Sequence, residues 1–206
     1  MGKFRSIVIS RLMGSGGSYI GYLAARELGF RYLDREILRE ASDRLGVDTA
    51  LIEHAEERSA GIIESLLRSF SSGAPESAFI PPMGRAVYER DLFQLESRIM
   101  NRVVDEVGAV IVGRGAFYAL KDRPEVFRVF IHAPLEFRIR RVMEVRKNAE
   151  YETVKSQVIE SDRRRTKFVK DIIGVNWMDA RNFHLCVDSS AVDFRSILGM
   201  IKNFFS

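Results

Sequence analysis

Arg11-Leu12-Met13-Gly14-Ser15-Gly16-Gly17-Ser18 is the stretch on which the reading of this chain turns. An apolar run, Ser6-Ile7-Val8-Ile9-Ser10, leads into it, and a helical pattern from Tyr19 to Leu28 leads out. Strand, glycine-rich turn and helix, in that order, is the layout of a phosphate-binding loop. Gly14, Gly16 and Gly17 let successive backbone N–H groups converge on an anion with no Cβ in the way. The helix that follows adds its unpaired first N–H groups and the positive end of its dipole. Against the full pattern G-x-x-x-x-G-K-[ST], Gly16 is the last glycine and Ser18 keeps the hydroxyl that would ligate Mg²⁺. Arg11 replaces the first glycine, and Gly17 replaces the lysine. Loss of the lysine removes a point charge at the transferring phosphates, a contribution on the order of several kcal/mol. Arg11 supplies that charge if its guanidinium folds back over the phosphates; a solvated Arg11 is the competing reading.

At 206 residues the chain can bury one core, with room for a small helical insert. Its 46% hydrophobic and 29% charged residues are those of a soluble globular protein. Lysine and arginine outnumber the acids by 32 to 28, and their clustering suits a small anion as well as nucleic acid. Cys186, the single cysteine, lies in an apolar run, so a buried thiol in a reducing compartment is expected. No apolar run approaches the ~18 residues of a membrane span. The N-terminus enters a strand pattern without a signal-peptide apolar region. A cytoplasmic protein without membrane association is expected.

Along the chain, Ile7, Val8 and Ile9 read as a strand covered on both faces in a parallel sheet. Ile20, Leu23, Ala24 and Leu28 recur at helical spacing and Gly29 stops them; Gly21 would let the helix pack closely on its strand. Phe30 to Leu33 is a brief strand, and Asp34 would cap a helix carrying Ile37, Leu38, Ala41 and Leu45. Helical patterns continue from Asp48 and again through Ile62 to Phe70, and Ser71 to Gly84 reads as a mobile surface loop. A long helix with Leu92, Leu95, Ile99 and Val103 inward ends at Gly108. Ala109 to Val112, Phe127 to Ile131 and Leu185 to Val187 are further strands, and Ile197 to Phe205 is a closing helix. The segment from Leu135 to Arg165 is helical and strongly basic. Strands alternating with helices predict a doubly wound α/β sheet, with ligands at the carboxyl ends of the strands.

Gly113-Arg114-Gly115 sets a guanidinium at such an end, its fork matched to two phosphate oxygens; a salt bridge to a neighbouring acid is the alternative. Arg138 and Arg141 lie three apart, on one helical face, and Arg165 follows Asp162 by one turn. Arginines closing over a polyphosphate would exclude water and neutralise charge, whereas a solvated basic face is the plainer reading. Only Phe137, Tyr151 and Phe168 are interleaved for base stacking, so nucleic acid is the poorer fit. Asp34 serves either as a helix cap or as an acceptor contact. His54, His132 and His184 lack metal-ligand spacing, and no G-x-S-x-G elbow is present.

Taken together, several blocks resemble the cytidylate kinase-like family, a branch of the P-loop nucleoside monophosphate kinases. They are Ile9-Ser10-Arg11 with Gly14-Ser15-Gly16-Gly17, Glu27-Leu28-Gly29-Phe30 and Leu33-Asp34-Arg35-Glu36. Val110 to Ala116, Asp122-Arg123-Pro124, Val129 to Glu136 and Asn176-Trp177 extend the likeness to nearly the whole chain. The resemblance implies one P-loop kinase domain over residues 1–206 with a core sheet of five parallel strands. It implies a helical acceptor-binding insert at about 48–90 and an arginine-rich lid at about 135–172. Mg-ATP is the implied donor, and a nucleoside monophosphate such as CMP or dCMP the implied acceptor. By that likeness Gly14, Ser15, Gly16, Gly17 and Ser18 hold the donor phosphates, Arg114 holds the acceptor phosphate, and Arg138, Arg141, Asp162 and Arg165 are lid groups. Proper cytidylate kinases keep the loop lysine and carry an acid where this chain has Gly115.

These readings converge on in-line phosphoryl transfer from Mg-ATP to a nucleotide-like acceptor. Arg11, Arg138, Arg141 and Arg165 take over from the lysine, Ser18 holds Mg²⁺, and Asp34, Arg35 and Arg114 fix the acceptor. A sensor that binds nucleotide without transferring phosphate is the alternative that Gly17 favours. A basic nucleic-acid-binding domain is a weaker one. Turnover gained only after Gly17→Lys would mark a decayed loop. The stretch from Thr49 to Tyr88 reads either as a lid over the acceptor or as the surface of a homodimer.

Overall fold

The computed structural model describes residues 4–34, 86–113, 115–147 and 149–205. Strand β1 (Ser6–Arg11) is buried from Ser6 to Ser10, because both faces of the sheet are covered there. With β2 (Arg31–Asp34), β3 (Ala109–Val112), β4 (Val126–His132) and β5 (Leu185–Asp188) it forms one five-stranded sheet ordered β2-β3-β1-β4-β5. All four pairings are parallel, Ile9 standing beside both Val112 and Val129. From the central β1 the chain winds out through β2 and β3 on one side, then through β4 and β5 on the other. The crevice beyond the carboxyl end of β1 is where the winding reverses, the place such sheets use for ligands.

Each face of the sheet has its own apolar layer. Ile7 and Ile9 point to one side, against Ile20 and Ala24 of helix α1 (Gly17–Leu28) and Ile197 and Ile201 of the last helix. Val8 and Ile111 point to the other, against Ile99 and Val103 of α2 (Ala86–Glu106) and Phe117 of the short α3 (Ala116–Ala119). Gly21 does bring α1 onto the sheet: a Cβ there would lie 2.8 Å from Val112 Cγ2. Gly29 ends α1 in the left-handed region, at φ 68°. In α2, Ile99 and Val103 are buried as the spacing predicts, while Leu92 and Leu95 are half-buried.

The basic segment departs from expectation. Rather than one helical run from Leu135 to Arg165, it forms α4 (Leu135–Val145) and α5 (Tyr151–Phe168). The backbone leaves helical geometry at Arg146 (φ −100°, ψ 85°) and is extended at Glu150. That break lets α5 set Val154 and Val158 against Ile139 and Val142 of α4, burying four apolar side chains that a continuous helix would leave uncovered. One π-helical turn (Val169–Ile173) then carries the chain under the sheet, where the buried Trp177 donates to Thr166 Oγ1 at 3.1 Å.

Cys186 is also corrected: it is exposed. Alternation turns Val187 and Leu185 toward the layer that holds α1 and the last helix, so Cys186 faces the opposite side of the sheet. The strand expected at Phe30 to Leu33 runs from Arg31 to Asp34, which makes Asp34 its last residue. The helix Asp34 would cap, the patterns through Phe70, the loop from Ser71 to Gly84, Arg35 and Arg114 lie outside the described residues. Among the described residues no helix is long and apolar enough to cross a membrane.

The final helix, α6 (Phe194–Asn203), begins three residues before the expected Ile197 because Asp193 caps it. Asp193 Oδ1 accepts from the backbone N–H groups of Arg195 (2.9 Å) and Ser196 (3.1 Å). The Ser196 hydroxyl, followed by these backbone donors, holds the carboxyl below its ordinary 3.8. A lowered folded-state pKa stabilises above the unfolded value and ceases to do so as pH falls through the folded one. The difference in Tm between wild type and Asp193→Ala should therefore be full well above pH 3.8 and shrink below it. A difference unchanged into strong acid would remove the cap from the account.

Candidate functional site

Gly14 and Gly16 both sit in the left-handed region, at φ 81° and 82°. Gly14 also packs against a distant backbone: a Cβ there would stand 2.6 Å from the carbonyl oxygen of Arg138. The loop is pinned by hydroxyls. Ser15 Oγ lies 2.8 Å from Leu12 O and 3.1 Å from Ile131 O, and the buried Ser189 Oγ donates to Ser15 O at 2.7 Å. Ser15 is thus turned inward: its side chain holds the loop to the end of β4, its backbone N–H donates to Leu12 O at 3.2 Å, and its carbonyl accepts from Ser189. Gly16 caps α1 without a side-chain hydrogen bond, so no side chain of its own fills the helix's N-terminal anion position.

Four arginines meet this loop from three elements. Arg11, at the end of β1, donates from Nε to Ser18 Oγ at 3.3 Å, so its side chain folds over the loop. Arg138 of α4 is 6% exposed. Its Nε donates to Ala133 O at 3.0 Å, and its Nη1 to Met13 O at 3.1 Å and to Asp162 Oδ2 at 2.7 Å. Arg165 of α5 donates from Nη1 to Arg11 O at 3.0 Å and stands 4.0 Å from Asp162 Oδ1. Arg141, one turn after Arg138, lays its guanidinium over Gly16, 2.6–2.7 Å from where a Cβ would be. The same guanidinium stacks on the Phe194 ring, 3.8 Å from its centroid.

The cluster brings four guanidinium groups together, with the carboxylate of Asp162 between Arg138 and Arg165. Asp162 Oδ1 is buried without a hydrogen-bond partner, which leaves Arg138 and Arg165 as its compensation. Arg138 and Arg165 grip the carbonyls of Met13 and Arg11, fastening α4 and α5 to the first limb of the loop. Arg11 and Arg141 instead bring their guanidinium groups to its helix side.

Of the residues expected at the site, Arg11, the loop from Gly14 to Ser18, Arg138, Arg141, Asp162 and Arg165 come together. Asp34 stands apart at the end of β2, two strands from β1, about 10 Å sideways at ordinary strand spacing. Two further residues, Ser189 and Phe194, belong to the site. Ser189 follows β5, and its place at a strand end was the available clue. Phe194, the seat of Arg141, carried no signal at all. Among the described residues no group of acidic, histidine or cysteine side chains could by itself hold a metal ion.

A sequence model of the cytidylate kinase-like family matches residues 6–191. The cytidylate kinase of Saccharolobus islandicus (strain L.S.2.15 / Lassen #1) is 20% identical over 201 residues, covering 97% of this chain and 90% of that protein. Among solved structures, an uncharacterized protein from Eubacterium ventriosum ATCC 27560 superposes with a TM-score of 0.68 at 20% identity, covering 96% of both chains. A gluconokinase from Sinorhizobium meliloti 1021 has a TM-score of 0.50 at 16% identity, over 97% of this chain and 90% of the other. At these identities the structural likeness speaks for the fold.

Proposed function

Because this chain belongs to the cytidylate kinase-like family, we propose that it transfers the terminal phosphoryl group of Mg-ATP to a nucleoside monophosphate, with CMP and dCMP the first acceptors to try. The observation that carries the reading is the convergence of Arg11 and Arg141 on a phosphate loop whose own lysine is absent. Catalysis of this type is mostly positioning and charge neutralisation, so no protein nucleophile is needed.

In this reading the backbone N–H groups from Gly14 to Ser18 cradle the β-phosphate. Arg11 and Arg141 face the charge that develops on the transferring group. Arg165, with Arg138 and Asp162 bracing it, orders the lid that excludes water. Ser18 would hold Mg²⁺, and the residues fit one that arrives with the nucleotide. Its hydroxyl oxygen accepts one long hydrogen bond from Arg11, at 3.3 Å, and keeps a second lone pair. Phosphates and water supply the remaining ligands of such an ion. Bound there, the metal would neutralise charge across the β- and γ-phosphates. Arg114, and with it Asp34 and Arg35, would fix the acceptor; the place of Arg114 in the sequence just after a strand and the family likeness both support its part.

Release of ADP from Mg-ATP against a panel of nucleoside monophosphates tests the proposal. Turnover with CMP, dCMP or another member of the panel is the expected result. Tight Mg-ATP binding with no turnover on any acceptor would instead mark a nucleotide receptor. That second reading is favoured by Gly17 and by the engagement of Arg138 with carbonyls and Asp162.

A further inference from the structure

Gly17 is a glycine for want of space, not of backbone freedom. It is the first residue of α1, and its φ lies outside the left-handed region that Gly14 and Gly16 occupy. A Cβ there would lie 2.5 Å from Arg11 Cβ and 3.0 Å from Arg11 Cγ. Real Cβ atoms do not approach so closely, and the obstructing atoms cannot swing aside. Arg11 Cβ is rooted in β1, whose backbone is paired with Ile131 on β4, and the Arg11 carbonyl is gripped by Arg165. The Arg11 stem passes over Gly17, and its guanidinium arrives at Ser18 Oγ.

The two departures from the phosphate-loop pattern therefore occupy one space. Ordinary loops have a glycine at position 11, which leaves room for a lysine side chain at position 17. Resting on the kinase reading above, we infer that positions 11 and 17 are a single exchanged unit. Arg11 carries the donor-phosphate charge that the lysine carries elsewhere, and position 17 must be glycine because the Arg11 stem fills the room. A planar guanidinium rooted in a strand can engage two phosphate oxygens at once, where an ammonium on a flexible stem acts as a point charge. Lysine at position 17 alone cannot restore the usual loop, so failure of Gly17→Lys says nothing about decay.

A cycle of variants tests both halves. Gly17→Ala should lower Tm by roughly 2–12 °C in the wild-type background, an overpacking effect. In the Arg11→Gly background the same change should lower it little or not at all, because the obstructing carbon is gone. Equal losses in the two backgrounds would overturn the shared space. For the charge, Arg11→Met keeps the stem and should weaken Mg-ATP binding roughly 10- to 100-fold, as loss of a charged hydrogen-bond donor does. The double variant Arg11→Gly with Gly17→Lys should recover most of that affinity. Unchanged Mg-ATP binding in Arg11→Met would remove Arg11 from the donor site. A wild-type protein that binds no Mg-ATP would instead sink the kinase reading and leave the melting cycle to judge the packing.

Discussion

Arg138→Met is expected to destabilise the fold by about 3 kcal/mol, with a matching fall in the urea midpoint. Removing one partner of a buried ion pair costs about 3–5 kcal/mol, because the remaining charge is left without compensation. The lower end applies because the Asp162 side chain keeps 18% of its exposure and a distant second partner in Arg165. The carbonyls of Ala133 and Met13 lose their donor at the same time. If uncompensated charge is the cause, Asp162→Asn in the same chain should recover a good part of the loss. A methionine variant as stable as wild type would show that Arg138 is not the brace between α4 and the loop. Because the guanidinium is tied to the loop's first limb, the variant should also weaken Mg-ATP binding under conditions where it remains folded.

Ser18→Ala is the substitution expected to act most strongly on catalysis. On the kinase reading it should lower kcat by roughly 10²–10³-fold, the scale on which single preorganised polar groups at a transition state are measured. Its effect on stability should be slight: the hydroxyl is buried, but the bond it accepts from Arg11 is long, at 3.3 Å, and alanine suits the first turn of a helix. The split between an intact melting curve and a collapsed turnover number is the informative outcome. Near-normal turnover at saturating Mg²⁺ would take Ser18 out of the mechanism and return attention to the backbone N–H groups alone.

Much of the fold was legible because its signals are local. Ile7, Val8 and Ile9 announce a strand covered on both faces, and the glycines after them announce a turn with close backbone approach. The break at Arg146 to Glu150 was not legible, since the residues on either side are all acceptable in a helix. What decides it is the burial of Val154 and Val158 against Ile139 and Val142, a contact between segments that no single periodicity encodes. Cys186 shows the converse limit. An apolar run says that a strand is half or wholly buried, but which residue faces out depends on which face of that strand other elements cover.

The order of the described strands and the glycine turn after β1 could be read from residue types and spacings alone, because strands and glycine turns obey short-range steric rules; the family was read from the likeness of whole blocks of sequence. A guanidinium standing in for the lysine is expected from the sequence as well, but that Arg11 and Gly17 compete for one space is not. Arg165 reaches the carbonyl of Arg11 across 154 positions, and Arg138 that of Met13 across 125. Arg11 and Gly17 are neighbours in space only because α1 turns back over the strand that precedes it. Tertiary packing sets Arg11 Cβ 2.5 Å from where a Cβ on Gly17 would stand, and on the reading proposed above that contact ties the missing lysine to the arginine that replaces its charge.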